Sequence, residues 1–318
     1  MNYFITGGAG FIGSSIADNL AEDPKNKITI YDNMSTGYEE FLSGLKKREN
    51  VKIIIGDLLD EQKLNESIKG SEFVFHLAAN ADIRFGLQHP RKDLEQNTIA
   101  TFNVLEAMRL SDIKKIAFSS TGPVYGEPSV FPTPEDCPFP VQTSLYATSK
   151  LAGEGLISSY CEGFGFTGYI FRFVSILGQR YTHGHVYDFC KQLMNNPDEL
   201  TILGNGKQRK SYLHISDCIN AIKTIIDKST EKVNIYNLGT DEYCEVNQSV
   251  SWICEYLGLK PELIYTGGDR GWIGDNPFVF LDCAKLKNLG WSAKLSIKES
   301  ILDTVRFLDN NKWVYDRR

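Results

Sequence analysis

The 318-residue chain predicts an α/β protein built on a doubly wound parallel sheet, and three observations predict it. Short β-branched runs alternate with segments of helical periodicity from the first residue to about position 175. A glycine-rich turn stands between the first run and the first helical segment. An aspartate closes the second run, where a carboxylate meets the edge of such a sheet.

Strands are expected at 2–6, 27–31, 51–55, 73–76, 114–119 and 167–173, each a short apolar or β-branched run. Helices are expected between them at 11–21, 61–68, 96–109 and 145–162. That alternation implies parallel strands with helices on both faces. Beyond position 177 the pattern loosens, with a helix at 186–194, a strand at 200–203, a strand-helix unit at 211–227 and a strand at 233–238. A helix at 247–257 and a glycine-rich loop at 267–274 complete the chain. The expected organisation is a nucleotide domain over 1–175, with 211–240 returning to it. A smaller C-terminal α/β substrate domain is expected from 176–210 and 241–318.

Composition narrows the function classes. The chain is 42% apolar and 23% charged, as expected of a globular protein, and no apolar run reaches the ~18 residues of a membrane helix. Met1-Asn2-Tyr3-Phe4-Ile5-Thr6 runs into the glycine turn without a basic leader, so no signal peptide is expected. A net charge of −6 argues against nucleic acid as a partner. Seven cysteines without a C-x-x-C pair point to a reducing, cytoplasmic compartment rather than disulfides. His183 and His185 have no third ligand at a metal-binding spacing, so no metal is expected.

The turn reads Thr6-Gly7-Gly8-Ala9-Gly10-Phe11-Ile12-Gly13. Gly7, Gly10 and Gly13 have the spacing that allows a tight turn, close approach of backbone to a diphosphate, and close helix-strand packing, with the helix N-terminus facing the anion. Asp32 lies 19 residues beyond Gly13, placed to accept bonds from ribose hydroxyls and to repel a 2′-phosphate. Asn33-Met34-Ser35-Thr36-Gly37 offers no arginine for such a phosphate. The cofactor expected is NAD. Asp57-Leu58 and Leu77-Ala78-Ala79 follow the third and fourth strands on the same edge.

Tyr146 and Lys150 lie four residues apart on the 145–162 helix, so the phenol and the ammonium share a face. A lysine charge there is expected to pull the phenol's pKa down from about 10 toward the range of a general base. Upstream, Ser119-Ser120-Thr121 ends the fifth strand, where a hydroxyl can bond a substrate hydroxyl.

With these residues the chain resembles the extended short-chain dehydrogenases/reductases, specifically the nucleotide-sugar epimerase/dehydratase group. The match covers nearly the whole chain. Its motifs are the glycine turn, Asp32-Asn33, Asp57-Leu58, His76-Leu77-Ala78-Ala79, Asn97, Ser-Ser-Thr with Val124-Tyr125-Gly126, and Tyr146 with Lys150. The resemblance implies a Rossmann-like fold, NAD, and a nucleotide-diphosphate sugar as substrate. It implies that Tyr146 deprotonates the sugar hydroxyl, Lys150 lowers its pKa and binds the nicotinamide ribose, and Thr121 bonds the reacting oxygen, with hydride passing from C4 to NAD. It places Gly7, Gly10, Phe11, Ile12, Asp32, Asn33, Ser35, Gly37, Asp57, Leu58, Leu77, Ala78, Ala79, Asn97, Ser119, Tyr146 and Lys150 around the cofactor. It also implies a homodimer through the helices at 96–109 and 145–162.

On the substrate side the resemblance implies Arg209, Lys210 and Arg270 at the diphosphate, with Lys210 standing where the family more often has arginine. Which of Arg209 and Lys210 binds stays open. Ser175 replaces an asparagine of the usual Arg-x-x-Asn that follows the sixth strand, and His185 is a candidate contact to sugar or phosphate. A 4,6-dehydratase would need a carboxylate beside Thr121, where Gly122-Pro123 stands instead. A 4-epimerase is therefore expected, with a net 4-dehydrogenase that retains NADH as the alternative, a GDP-linked sugar or heptose being among its candidate substrates. A non-catalytic NAD-binding protein is disfavoured because Thr121, Tyr146 and Lys150 are all retained.

Overall fold

The computed structural model of the chain describes residues 1–81, 83–139, 141–272 and 274–317; Ile273 of the expected 267–274 loop lies outside them. The order begins β1 (Asn2–Thr6), α1 (Phe11–Ala21), β2 (Lys27–Asp32), α2 (Glu39–Leu42), β3 (Val51–Ile55), α3 (Glu61–Ser67) and β4 (Phe73–His76). Next come α4 (Ile83–Gln88), α5 (Pro90–Asp93), a π-helical turn (Leu94–Ile99), α6 (Ala100–Leu110), β5 (Lys115–Thr121), α7 (Leu145–Phe164) and β6 (Thr167–Phe173). The later elements are β7 (Ser175–Leu177), α8 (His185–Asn195), β8 (Glu199–Ile202), β9 (Arg209–Lys210), β10 (Tyr212–His214), α9 (Ile215–Lys228) and β11 (Val233–Leu238). The chain closes with β12 (Cys244–Glu245), α10 (Val246–Leu257), β13 (Glu262–Tyr265), β14 (Phe278–Val279), α11 (Ala284–Lys287) and α12 (Ile297–Asn310).

Seven strands form one sheet in the order β11-β6-β5-β4-β1-β2-β3. The pairings of β1 with β2 and β4, β2 with β3, and β4 with β5 are parallel. The order turns back between β1 and β4, the switch point where ligands approach a doubly wound sheet. Central strands are apolar on both faces because helices cover both: Phe73, Val74, Phe75 and His76 of β4 are all buried. Phe118 packs in one core with Val104, Leu105 and Met108 of α6 and Ile157 and Cys161 of α7. Each such fully buried large side chain contributes on the order of 1.5–3 kcal/mol. Ser144 caps α7 by accepting the Ala147 N–H at 3.1 Å, and Gly165 ends it at φ +68°.

Two compact units emerge. The first comprises Met1–Val124, Ser144–Arg172 and Ile225–Tyr236; the second comprises Tyr125–Thr143, Phe173–Thr224 and Asn237–Arg318. This differs from the expected division at three places, the smallest being the boundary after Arg172 rather than 175. Residues 125–143 join the second unit, because Thr133 bridges Leu281 and exchanges backbone bonds with Phe280 and Asp282 at 2.9 Å each. Of 211–240, only 225–236 belongs to the first unit. In the second unit, β10 pairs with β7, β13 with β8, and β9 lies between β12 and β14, while α12 packs on α8 and α10.

Local differences have local causes. The expected helix at 96–109 begins as the π turn, and α4 and α5 precede it unanticipated, with Pro90 at the start of α5 where a missing N–H costs nothing. β5 runs two residues further than expected, to Thr121, which carries the hydroxyl to the very end of the strand. Among the described residues no helix is long and apolar enough to cross a membrane, and no group of three or more His, Cys, Asp or Glu could hold a metal ion.

Candidate active site

At Gly7 and Gly13 the glycine turn is shaped by backbone contacts that leave no room for a side chain. Gly10 N–H bonds Gly7 O at 3.1 Å, and Gly7 sits at φ +68°. A Cβ on Gly7 would lie 2.6 Å from Ala78 N, and one on Gly13 would lie 2.2 Å from Gly7 O. α1 then begins at Gly10 with no side-chain cap and no acidic residue in its first turn. An uncapped N-terminus with unneutralised N–H groups suits a diphosphate.

Asp32 ends β2 buried, accepting the Ala9 N–H at 2.9 Å on Oδ2 and the Met34 N–H at 2.8 Å on Oδ1. Burial raises its pKa while those two bonds hold it down. Asn33 donates to Asp57 Oδ2 at 2.9 Å and accepts the Ser35 N–H at 3.0 Å, while Asp57 Oδ1 accepts the Leu59 N–H. Gly37 lets that loop close on the turn, since its Cβ would meet Ala9 Cβ at 2.7 Å. Leu58 is buried, with its carbonyl bonded by Asn103. Phe11 is buried at the start of α1, followed by the half-buried Ile12. The cradle, the open helix end and the terminal carboxylate fit a dinucleotide such as NAD.

His76, the last residue of β4, organises the facing edge. Thr101 Oγ1 donates to Asn97 O at 2.5 Å, so His76 Nε2 must donate to Thr101, at 2.9 Å. His76 Nδ1 then accepts from Thr6 Oγ1 at 2.8 Å, and Thr6 Oγ1 accepts the N–H groups of Leu77 and Ala78 at 3.2 and 3.3 Å. The ring is neutral: burial, with Lys150 nearby, pulls its pKa down to about 3. Ala79 follows half-buried. Asn97 departs from expectation. It is buried and spends its amide on Asn80, Asp93 and Ser149, so it clamps the π turn rather than lying open toward a cofactor.

At the carboxyl end of β5, Thr121 stands near enough to the Tyr146 phenol to favour its ionised form, and Lys150 lies one turn further along α7. Lys150 Nζ reaches Ser119 Oγ at 3.5 Å and stands 4.7 Å from the Phe118 ring centroid. The expected depression of the Tyr146 pKa is not what this protein shows. Burial pushes the half-buried phenol up to about 12, Thr121 lowers it, and Asp93 raises it. Burial pushes the Lys150 ammonium down to about 7, opposed by Glu154. Desolvation disfavours both charged forms, and spacing alone carried no sign of it.

Glu154 was missed in the sequence, although it continues the Tyr146–Lys150 spacing by one more turn. Its carboxylate accepts from Ser120 Oγ, from Arg172 Nε at 3.0 Å and from Arg172 Nη2 at 2.7 Å, with all three residues buried.

In the second unit the expected substrate residues have partners of their own. Lys210 Nζ bonds Asp275 at 2.7 Å and Asn276 O. Arg270 pairs with Glu127 at 2.6 Å and bonds Asp275 O at 3.1 Å. Arg209 is exposed and lies 4.0 Å over the Phe278 ring and 5.6 Å over Tyr243. Ser175 is exposed on β7. His185 bonds Ser249 through Nε2 at 2.8 Å and packs 4.8 Å from Tyr212; burial and Lys210 hold its pKa down to about 3. A ring so engaged acts first as an anchor of α8.

A dinucleotide cradle sharing one sheet edge with a phenol and an amine defines an NAD-dependent enzyme of the extended short-chain dehydrogenase/reductase type. The model of the NAD dependent epimerase/dehydratase family matches residues 3–239, and the chain belongs to that family. A protein of Methanocaldococcus jannaschii, provisionally named a UDP-glucose 4-epimerase, is 34% identical over 96% of this chain and 98% of its own. A UDP-glucose 4-epimerase of Corynebacterium glutamicum is 30% identical over 81% of each chain. The crystal structure of a UDP-glucose 4-epimerase of Thermotoga maritima with UDP-glucose superposes with a TM-score of 0.88 at 30% identity, covering 98% of this chain and all of that one.

Proposed function

We propose that this enzyme is a 4-epimerase of a nucleotide-diphosphate sugar, with a UDP-linked hexose as the first candidate. The observation that carries the reading is the Tyr146 phenol beside Thr121 at the end of β5, with the buried Lys150 one helical turn away. The names of the relatives in Corynebacterium and Thermotoga support the sugar and the nucleotide.

Gly7, Gly10, Phe11, Ile12, Asp32 and Ala78 would hold NAD, with Asn33, Ser35, Gly37, Asp57, Leu58, Leu77, Ala79 and Ser119 nearby. NAD, when bound, supplies the acceptor and later the donor of hydride at the sugar C4. Thr121 orients the C4 oxygen, and Tyr146 takes its proton as a phenolate and returns it after the sugar has turned. Lys150 as an ammonium stabilises that phenolate. Gly122-Pro123 places no carboxylate beside Thr121 for water loss, which favours epimerisation over dehydration. Arg209, Lys210 and Arg270 remain the candidates for the diphosphate, with Ser175 and His185 as secondary ones. A homodimer through α6 and α7 belongs to the same reading, consistent with Phe102 and Leu145 standing exposed on them.

The test is incubation with UDP-, GDP- and dTDP-sugars, followed by NMR of the products. Inversion at C4 is expected. An accumulating ketone with NADH left on the protein would instead make it a net 4-dehydrogenase, and no change in any sugar would overturn the reading.

A further inference from the structure

We propose that His76 is a positioning residue for the cofactor: its ring, held as the Nε2–H tautomer between Thr101 and Thr6, sets the Leu77–Ala78 turn against the glycine cradle and ties that turn to α7. The effect on NAD binding stands on the family assignment alone; any effect on turnover rests on the function proposed above.

A single hydrogen fixes the tautomer, because a threonine hydroxyl has only one proton to give. Thr101 gives it to the Asn97 carbonyl at 2.5 Å, so toward His76 Nε2, at 2.9 Å, its oxygen can only accept. His76 Nδ1 then carries no proton and takes the one from Thr6 at 2.8 Å. Thr6 Oγ1 keeps both lone pairs for the main chain, where the N–H groups of Leu77 and Ala78 donate at 3.2 and 3.3 Å. Every bond from Ala78 to Asn97 therefore points the same way, and bonds so aligned polarise and strengthen one another. Thr6, His76 and Thr101 are all fully buried, so no water can replace a lost partner.

The two ends of this run are the cofactor cradle and the helix of the phenol. At one end a Cβ on Gly7 would lie 2.6 Å from Ala78 N, so the Leu77–Ala78 turn and the cradle cannot move independently. At the other end Asn97 belongs to the π turn, and its amide donates to Ser149 Oγ at 2.9 Å, which donates to the Tyr146 carbonyl at 2.7 Å. Thr98 adds a bond to Ser149 O at 3.4 Å. The imidazole joins the ends through its tautomer. Without an acceptor at Nε2 the ring proton would move to Nδ1, and Thr6 would have to accept from the ring. Three donors would then face the two lone pairs of Oγ1, and one main-chain N–H would have to let go. Leu77 N–H has a second acceptor in Thr6 O at 3.2 Å, so the bond released is that of Ala78, the residue against Gly7.

The experiment reads the ring and the cofactor together. Full-length protein is labelled with 15N-histidine, and the His76 signal, one of five, is assigned by its absence in His76→Gln. The parent is expected to show a neutral ring with its proton on Nε2. A ring protonated on Nδ1, or on both nitrogens, overturns the proposal before any further variant is made. Thr101→Val keeps the shape of that side chain and removes the hydroxyl. The ring proton should then move to Nδ1, and calorimetric titration should show NAD bound at least ~5-fold more weakly, at a temperature where the variant is fully folded. Thr101→Ser keeps the hydroxyl and should restore both. A role in stability alone would lower the unfolding temperature of Thr101→Val and leave the NAD affinity of the folded protein unchanged; that outcome overturns the proposal. Affinity that falls while the ring keeps its proton on Nε2 overturns it as well. A protein that shows both expected changes but converts no nucleotide sugar keeps His76 in this role and loses only the activity proposed above.

Discussion

Alanine at Gly10 and at Gly13, tested separately, distinguishes what the glycine turn does for the fold from what it does for a ligand. At Gly13 a Cβ would stand 2.2 Å from Gly7 O, 2.8 Å from Gly8 Cα and 2.9 Å from Gly7 C. All three are backbone atoms, so the turn itself must retreat by about 1 Å to reach ordinary contact, a typical overpacking cost of ~1–3 kcal/mol. Alanine inside a helix recovers ~0.5–1 kcal/mol of that. A net loss of ~1–2 kcal/mol is expected for Gly13→Ala, with weakened NAD binding as the cradle deforms. At Gly10 the nearest atom to a Cβ is Gly7 O at 3.3 Å, and φ is −80°, which alanine adopts freely. Only the poorer N-cap counts against it, at ~0.5–1 kcal/mol. If the diphosphate lies against this helix end, the Gly10→Ala methyl still obstructs it, and NAD affinity should fall at least ~10-fold, or ~1.4 kcal/mol. Thermal unfolding with and without NAD, with calorimetric titration, reads both numbers. Gly10→Ala binding NAD as tightly as the parent would refute the placement of the cofactor at the α1 N-terminus. Gly13→Ala at full stability would refute the packing argument.

Three further outcomes follow from the same structure. Tyr146→Phe should lower turnover by ~10²–10⁴ while NAD stays bound, and a variant that keeps its turnover removes Tyr146 as the base. Glu154→Gln should destabilise the fold by ~3–5 kcal/mol in denaturant unfolding, whereas Glu154→Gln/Arg172→Met should unfold close to the parent; equal losses would mean that the pair's charges do not compensate each other. His76 and His185 are both held at about 3, below the ~6.5 of an unfolded histidine. Their contribution is therefore complete above pH 6.5 and is lost as pH falls from there toward 3, because the unfolded chain takes up protons that the folded chain refuses. Each should add a slope of at most ~1.4 kcal/mol per pH unit to unfolding free energy in that window. His76→Gln should flatten the slope, and an unchanged one would show the ring to be protonated in the fold.

What was legible in the sequence was short-range. The glycine turn, Asp32 and the Tyr146–Lys150 step each depend on residues a few positions apart, or on one strand-turn-helix unit whose order the periodicity already shows. Thr121 was legible because it ends a strand, although the strand proved two residues longer. What escaped depends on partners far along the chain. Asn97 read as a cofactor contact because nothing local shows that Ser149, 52 residues away, takes its amide. The ion pair of Lys210 with Asp275, 65 residues on, is likewise invisible to spacing. The sign of the Tyr146 shift failed for a related reason. Charge proximity can be read from i,i+4 spacing, but desolvation is a property of everything packed around the pair.

That failure also clarifies how the pair works. Burial pushes the phenol up and the amine down, so it favours the neutral form of both. The working form, phenolate with ammonium, carries the same total number of protons. Reaching it requires a redistribution within the pair rather than a proton from solvent, and the two titrations belong to the pair rather than to either residue. Burial favours the neutral form because it penalises both charges at once. Two features of the chain lean the other way: Thr121 favours the phenolate, and the Glu154 carboxylate favours the ammonium. They act on opposite partners but toward one state. The positively charged nicotinamide ring of NAD, bound on the same sheet edge, would add to that bias.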